Sequence, residues 1–314
     1  MEWREAIPPG ASRAVAGFPI RQWYNKHGSC HMPGTLFVVA TPIGNLDDIT
    51  ARALRVLREV AVIAAEDTRR TARLLSHYGV GTPTISLHEH NEAAKSQAVV
   101  ERLRRGDNVA LVTDAGTPAV SDPGQRLVRA AIEAGIRVEA IPGPSAVMAA
   151  LAASGFPADR FAFMGFPPTR SHDRFNWLAT LGRSPGTVVF FEAPHRIRET
   201  LTELRAMFGD RQIAVGRELT KLHEEWVRGP ISTVLERLVG DRGEHTVVLE
   251  IGQSTDYGEC SERVSDQTLA SEIGEITKMD GMTRRKALNL VARRHHLPPN
   301  DVYEAVERAR KLVK

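Results

Sequence analysis

TLFVVATPIGNLDDITARALRVLREVAVIAAED, residues 35–67, reads as strand, turn, helix, strand. Its apolar runs at 36–40 and 60–64 are short and β-branched, and the segment between them, 51–58, has a helical pattern. Strands that are apolar throughout, rather than alternating, are buried on both faces. The rhythm continues downstream, with a helix at 68–77, a strand at 84–87, a helix at 91–104, a strand at 109–113, a helix at 125–134, a strand at 138–141 and a helix from 145. Strands separated by helical patterns of 10 to 15 residues predict βαβ units and a mainly parallel sheet. The first domain is therefore placed at 34–154.

Residues 155–168, rich in Gly, Pro and Phe, interrupt the pattern and introduce a second α/β domain at 155–252. Its predicted strands are 161–164, 187–191, 212–216, 222–228 and 245–251, with helices at 174–181, 196–208 and 231–239. Polar residues 253–266 read as a linker, and 267–314 as a basic helical module with helices at 283–295 and 299–313. Leu297, Pro298 and Pro299 end the first of these and start the second, since Pro is tolerated in a first helical turn. Residues 1–31 mix Pro, Gly, Arg and aromatics without period. They are expected to be a disordered N-terminal extension.

Composition narrows the function. A chain of 314 residues, 42% hydrophobic and 25% charged, is that of an ordinary globular protein with more than one core. No apolar run reaches the length of a membrane span, and the N-terminus lacks a secretory signal, so a cytoplasmic protein without a membrane partner is expected. Two cysteines, Cys30 and Cys260, support neither a disulfide framework nor a zinc site. The net charge of +3 is unevenly spread: residues 278–314 hold ten Lys or Arg against four Asp or Glu, which leaves the rest at −3. That local excess suits a polyanionic partner, although a solvated helical face would read the same way.

The usual nucleotide motifs are missing. No GxGxxG follows a predicted strand and no GxxxxGK[ST] occurs. No metal site is expected: His88-Glu89-His90 and His223-Glu224-Glu225 lack the spacing of a zinc helix. Gly143-Pro144-Ser145-Ala146 lacks the second glycine of a nucleophile elbow. What recurs is a set of Gly/Pro/Asp turns just after strands, the side on which ligands bind an open parallel sheet. These are Thr41-Pro42-Ile43-Gly44-Asn45, the stretch from Asp114 to Gly124, and Pro142-Gly143-Pro144-Ser145-Ala146. Glycine lets backbone groups approach a ligand, and proline limits the entropy lost on binding.

Seven ordered stretches carry a resemblance: TPIGNLDDIT (41–50), AAEDTRRTARLL (64–75), HEHNE (88–92), TDAGTPAVSDPG (113–124), IPGPSA (141–146), FFEAPHR (190–196) and GRELTKLHEE (216–225). They resemble the tetrapyrrole methylase superfamily, and within it the small-subunit ribosomal RNA methyltransferase I family. GMTRRKALNLVARRHHLPPNDVY (281–303) resembles that branch's C-terminal module. The resemblance implies two α/β domains with the cofactor in the cleft between them, a small helical C-terminal module, and a homodimer. The activity it implies is 2′-O-methylation of a cytidine in the decoding region of small-subunit ribosomal RNA, with S-adenosylmethionine as cofactor. Carried over by position, it implies cofactor contacts at Pro42, Ala115, Gly116, Thr117, Val120, Ser145, Ala146, Phe191, Glu192 and Leu219. Members acting on porphyrinoids have a glycine-rich GxGxGD-like first loop, and TPIGN here favours the RNA branch. The alternatives are a tetrapyrrole C-methyltransferase of the same fold, and an RNA-binding protein on a decayed methylase scaffold.

A ribose hydroxyl is a poor nucleophile, so a base or an alkoxide-stabilising cation is sought. Glu66, ending an apolar strand, is the first choice, and its other reading is an acidic helix start shared with Asp67. Lys221 is the second, as a cation, with Glu218 beside it as a proton acceptor. Arg69 and Arg70, with Arg284, Arg285, Lys286, Arg293 and Arg294 of the C-terminal module, are expected to contact RNA phosphates.

Overall fold

A computed structural model describes residues 32–182, 186–238, 243–251, 265–279, 287–288, 291–292 and 299–312. Residues 1–31, most of the linker 253–266 and most of the helix expected at 283–295 lie outside them. Contacts divide the described chain into one unit of residues 32–42 and 46–144, and another of residues 43–45 and those from 145 onward.

The first unit runs β1 (Thr35–Val39), α1 (Ala51–Glu59), β2 (Val62–Ala65), α2 (Thr68–His77), β3 (Thr84–Ser86), α3 (Glu92–Arg104), β4 (Val109–Val112), α4 (Gln125–Glu133) and β5 (Arg137–Ile141). Its five strands are all parallel, in the order β3-β2-β4-β1-β5. Side chains alternate across a strand, so adjacent residues serve opposite cores. Ala110 and Val112 of β4 pack with Ala53, Val56 and Leu57 of α1 and Leu75 of α2, whereas Val109 and Leu111 pack with Val99 and Leu103 of α3 and Leu127 of α4. The apolar runs are explained by this double burial, and the parallel order leaves every strand's carboxyl end on one edge.

Caps set where the helices begin. Thr50 accepts from Ala53 N at 3.1 Å to open α1, and Asp67 accepts from Arg69 N at 2.8 Å to open α2. For α4 the cap comes from far away in sequence: the buried Glu92 carboxylate accepts from Gly124 N, Arg126 N and Leu127 N at 3.0, 2.8 and 3.4 Å. These are orphan donors of a helix start, and a buried anion is a strong acceptor for them. Glu92, the last residue of HEHNE, thereby fixes the bend that precedes α4.

In the second unit α5 (Ala146–Ser154), α6 (Ser171–Leu181), α7 (Ile197–Phe208) and α8 (Ile231–Arg237) accompany β6 (Phe161–Phe163), β7 (Thr187–Glu192), β8 (Gln212–Arg217), β9 (Glu225–Pro230) and β10 (His245–Glu250). The sheet order is β6-β7-β10-β8-β9, with only β6 and β7 parallel. One face packs on α6, α7 and α8 around Phe190, Leu201 and Val247, and the other on α5 through Val147, Ala150 and Leu151. Because α5 lies on this sheet, contacts part the chain after Pro144 rather than after residue 154. Sequence periodicity sees the helix but not the sheet it covers.

Strand β9 starts at Glu225, not at residue 222 as the pattern suggests. Leu222 is 92% exposed, and the segment before β9 is a turn in which Glu218 and Thr220 take φ of 52° and 65°. Hydrogen bonds from Lys221 N to Glu218 O and from Glu224 N to Lys221 O close it, both at 3.0 Å. Beyond the sheet, α9 (Asp266–Met279) and α10 (Pro299–Leu312) share a core of Leu269, Ile273, Val302 and Val306. The first of these was read as linker and the adjoining part of the basic module; its apolar positions are few and Gly274 interrupts them. None of the described helices is long and apolar enough to cross a membrane.

Candidate active site

Three turns meet at the carboxyl edge of the first unit's sheet. Thr41, just past β1, and Gly116, past β4, exchange backbone hydrogen bonds of 2.9 and 3.0 Å, an isolated antiparallel bridge. The Thr41 hydroxyl donates to Thr113 O at 3.0 Å, and the Thr117 hydroxyl to Pro144 O at 3.4 Å. Gly116 sits at φ 85°, a conformation that side chains resist. A Cβ on Gly143 would lie 3.0 Å from that of Ala40, so the third turn too is packed hard against the first strand. Pro42 is buried beside this knot, Ala115 and Val120 are exposed at its surface, and Thr117 is half-buried.

Carboxylates gather beside the turns. Glu66 Oε2 accepts from the Thr113 hydroxyl at 2.6 Å and from Asp114 N at 3.2 Å, and Asp114 Oδ1 accepts from Asp67 N at 3.1 Å. Of the acidic pair Glu66-Asp67, only Asp67 caps the helix, and its hydrogen bonds from Arg69 hold its carboxyl well below the usual range. Burial raises Asp114, with Glu66 adding to the effect. Burial also pushes Asp122 up to about 6, against a hydrogen bond with Thr113 that lowers it and with help from Glu66 and Asp114. In the sequence Asp122 is only part of a turn; the signal available there is a second acid in the stretch 113–124 that begins with Thr113 and Asp114. The bend that carries it is strained, with Ala119 and Ser121 at φ 65° and 60°.

The Asp122 shift fixes a sign. Its folded value lies above the ordinary 3.8, so between about pH 4 and 6 the folded protein holds a proton that the unfolded chain has released. Its contribution to stability is full below that window and lost as pH rises through it. Discounted for partial exposure, Asp122→Asn should stabilise the protein by about 1 kcal/mol at pH 7. Urea unfolding checks this: the gain should vanish below pH 4, and a variant weaker than the parent at pH 7 would contradict it.

Next to these groups lies a cavity of about 190 Å³ within the first unit. Its walls are Thr41, Pro42 and Leu46 after β1, Thr113 and Asp114 after β4, and Arg70, Thr71, Arg73 and Leu74 of α2. Arg70 pairs with Asp114 at 3.3 Å, and Arg69 with Asp67 at 2.9 Å, both arginines well exposed.

In the second unit Ser145 caps α5, accepting from Met148 N at 3.4 Å, and Ala146 follows it. Ala146, Phe191 and Leu219 belong to one apolar cluster with Ile43, Val189 and Val248. Phe191 stacks edge-on against Phe163, ring centres 5.0 Å apart, and tilts against the exposed Phe166 at 5.3 Å. Glu192 points to the other face of the sheet, where it is 1% exposed and binds Arg196 at 2.7 Å and the Thr200 hydroxyl at 2.5 Å. Its carboxylate is fully engaged there, which leaves its backbone for the expected contact. Lys221 pairs with Glu218 at 2.9 Å and Glu244 at 3.2 Å. The hydrogen bond from Lys221 lowers Glu218, which makes it a poor proton acceptor, while the two carboxylates raise Lys221 despite its desolvation and keep it cationic. Gly44 has no room for a side chain, its Cβ position being 2.4 Å from Lys221 Cγ and 2.9 Å from Leu219 O. Arg284, Arg285, Lys286, Arg293 and Arg294 lie outside the described residues.

Residues 35–235 match the model of the tetrapyrrole (corrin/porphyrin) methylases. A "ribosomal RNA small subunit methyltransferase I" of Pseudomonas aeruginosa is 49% identical over 73% of this chain and 82% of its own. Proteins of the same name from Xylella fastidiosa and a Synechocystis species are 47% and 42% identical, over 73% and 86% of this chain and 86% and 96% of theirs. Among solved structures, diphthine synthase superposes with a TM-score of 0.55 at 18% identity, over 69% of this chain and 90% of its own. At that identity the likeness speaks for the fold alone.

Proposed function

The chain belongs to the tetrapyrrole methylases, and within them to the ribosomal RNA small subunit methyltransferase I family; on that premise we propose that it methylates the 2′-hydroxyl of a cytidine in the decoding region of 16S ribosomal RNA. The cofactor is S-adenosylmethionine, which supplies a methyl group made electrophilic by the attached sulfonium. The single observation that supports this reading most is the knot of turns in the first unit, where Thr41 and Gly116 lock two strand ends together. Rigid backbone with small side chains, Ala115 and Val120 exposed beside it, fits a cofactor held largely by main-chain groups.

Pro42, Ala115, Gly116, Thr117 and Val120 hold the cofactor from the first unit, and Ser145, Ala146, Phe191 and Leu219 from the second, so that it lies in the cleft between them. Glu192 contributes through its backbone, its carboxylate being committed to Arg196 and Thr200. These contacts act by orientation, which can remove roughly 7 to 11 kcal/mol from a two-reactant barrier. The proton of the ribose hydroxyl passes to the coupled carboxylates beside Thr113. Glu66 is the acceptor, and Asp122, pushed up by burial to about 6, shares its proton within the cluster. Lys221, cationic, steadies developing negative charge.

Arg69 and Arg70 contact RNA phosphates, as do Arg284, Arg285, Lys286, Arg293 and Arg294 of the helical C-terminal module. The protein works in the cytoplasm as a homodimer. Mapping 2′-O-methyl groups along 16S ribosomal RNA from cells with and without the gene tests the reading. One decoding-region cytidine should lose its methyl group in the deletion strain and regain it on complementation. An unchanged map, or methyl transfer to uroporphyrinogen but not to RNA in vitro, would refute it.

A further inference from the structure

Helices α1 and α2 cover the same face of the first unit's sheet, burying Ala53, Val56 and Leu57 from one and Leu75 from the other in a common core. That burial leaves Arg52, Arg55 and Arg58 of α1 and Arg69, Arg70 and Arg73 of α2 exposed on the outer side. The two helices lie side by side: Arg58 donates to Tyr78 O, at the end of α2, at 3.0 Å, and the Thr82 hydroxyl to Leu57 O at 2.6 Å. At the other edge Arg52 donates to Ala140 O of β5 at 3.5 Å. Six arginines stand against one acid, Glu59, in these two helices. Asp47, Asp48 and Asp67 precede the helices, where helix dipoles favour them, and Asp114 pairs with Arg70 at the cavity.

The opposite face of the same sheet differs. Helices α3 and α4 pair part of their charge, with Arg104 bound to Glu101 at 2.5 Å and Arg129 to Glu133 at 2.8 Å, and leave Arg126 exposed. Among the described residues, by contrast, no carboxylate lies within ion-pairing distance of Arg55 or Arg73. The cationic face also leads somewhere, because Arg70 and Arg73 wall the cavity whose floor is formed by the turns after β1 and β4. Exposed pairs such as Arg70 with Asp114 are weak, so a phosphate can take the arginine over.

We propose that the outer face of α1 and α2 is a docking surface for the sugar-phosphate backbone of the RNA substrate, which feeds the target nucleotide into the cavity beside Arg70 and Arg73. This deepens the proposed function by locating RNA binding on the first unit, in addition to the basic C-terminal segment. Guanidinium groups spaced along neighbouring helices suit a chain of phosphates: each is planar, permanently charged and able to bind two oxygens at once. An acidic protein surface is the competing partner.

The test is equilibrium binding of deproteinised small-subunit ribosomal RNA to the full chain over a series of KCl concentrations. Arg55→Ala/Arg73→Ala should bind at least tenfold more weakly at low salt. The slope of log affinity against log salt should flatten by about 1.4, from about 0.7 per lost single-strand phosphate contact. Arg55→Lys/Arg73→Lys should keep most of that slope, and Arg129→Ala, on the opposite face, should behave as the parent. Calorimetric affinity for S-adenosylmethionine should be the same in every variant, which certifies the fold. An Ala/Ala variant that binds naked RNA as the parent does overturns the proposal, and so does one impaired only toward intact subunits, which would mark a protein contact. Methyl transfer to RNA by the parent protein, measured alongside, separates this failure from failure of the functional reading.

Discussion

Gly116→Val is expected to lower the affinity for S-adenosylmethionine at least a hundredfold, about 2.7 kcal/mol, in a protein that still folds. Gly116 is at φ 85° and gives both its N–H and its C=O to Thr41, at 3.0 and 2.9 Å. A β-branched residue at that φ costs on the order of 1–3 kcal/mol of strain, and the chain can escape it only by releasing the bridge. Releasing the bridge frees the turns after β1 and β4, whose rigidity is proposed to hold the cofactor. The cores on either side of the sheet, centred on residues such as Leu57 and Leu103, do not depend on it. Calorimetry gives the affinity and thermal unfolding the fold; a variant with unchanged affinity would mean that this bridge does not shape the binding site.

Glu66→Gln is expected to lower kcat by about 10²- to 10³-fold, the range of a lost general base, with KM for the cofactor changed only a few-fold. Glutamine keeps an oxygen for the Thr113 hydroxyl and for Asp114 N, so the local hydrogen bonds that Glu66 now receives at 2.6 and 3.2 Å survive. What it removes is the charge. That neighbour is one of the smaller causes of the raised Asp122 carboxyl, so its loss should lower Asp122 only slightly, with burial keeping it up. Single-turnover rates measured across pH report the loss: the parent should slow as pH falls, whereas the variant should stay slow throughout. Full turnover in the variant would remove Glu66 from the proton path.

Much of the first unit was legible in the sequence because its strands are buried twice over. Runs such as Val109–Val112 have no polar face to confuse the pattern, and the turn after each one announces itself with Gly, Pro or Asp. The second unit was harder. Strand β9 was placed three residues early because Leu222 looks apolar and strand-like, although it projects into solvent from a turn held by Glu218, Thr220 and Glu224. Helix α5 was visible, but only tertiary packing assigns it to β7 and β10.

The site shows the same division. Gly116, Thr117 and Pro42 stood out through backbone chemistry, which is local. Glu192 stands out because FFEAPHR is distinctive, whereas the partners of its side chain, Thr200, eight residues on, and Arg196, emerge only from the fold. The roles of Asp122 and Glu92 are not legible locally because they depend on burial and on partners far away in sequence: Glu66 for the first, the N–H groups opening α4 for the second.

Titrating the purified full-length protein with S-adenosylmethionine in a calorimeter is the most direct measurement of whether these turns hold a methyl donor. Saturable heat at one site per chain, abolished in the Gly116→Val variant and unchanged in Arg129→Ala, is the predicted result. No heat at donor concentrations up to the millimolar range, from protein that unfolds cooperatively, would contradict it.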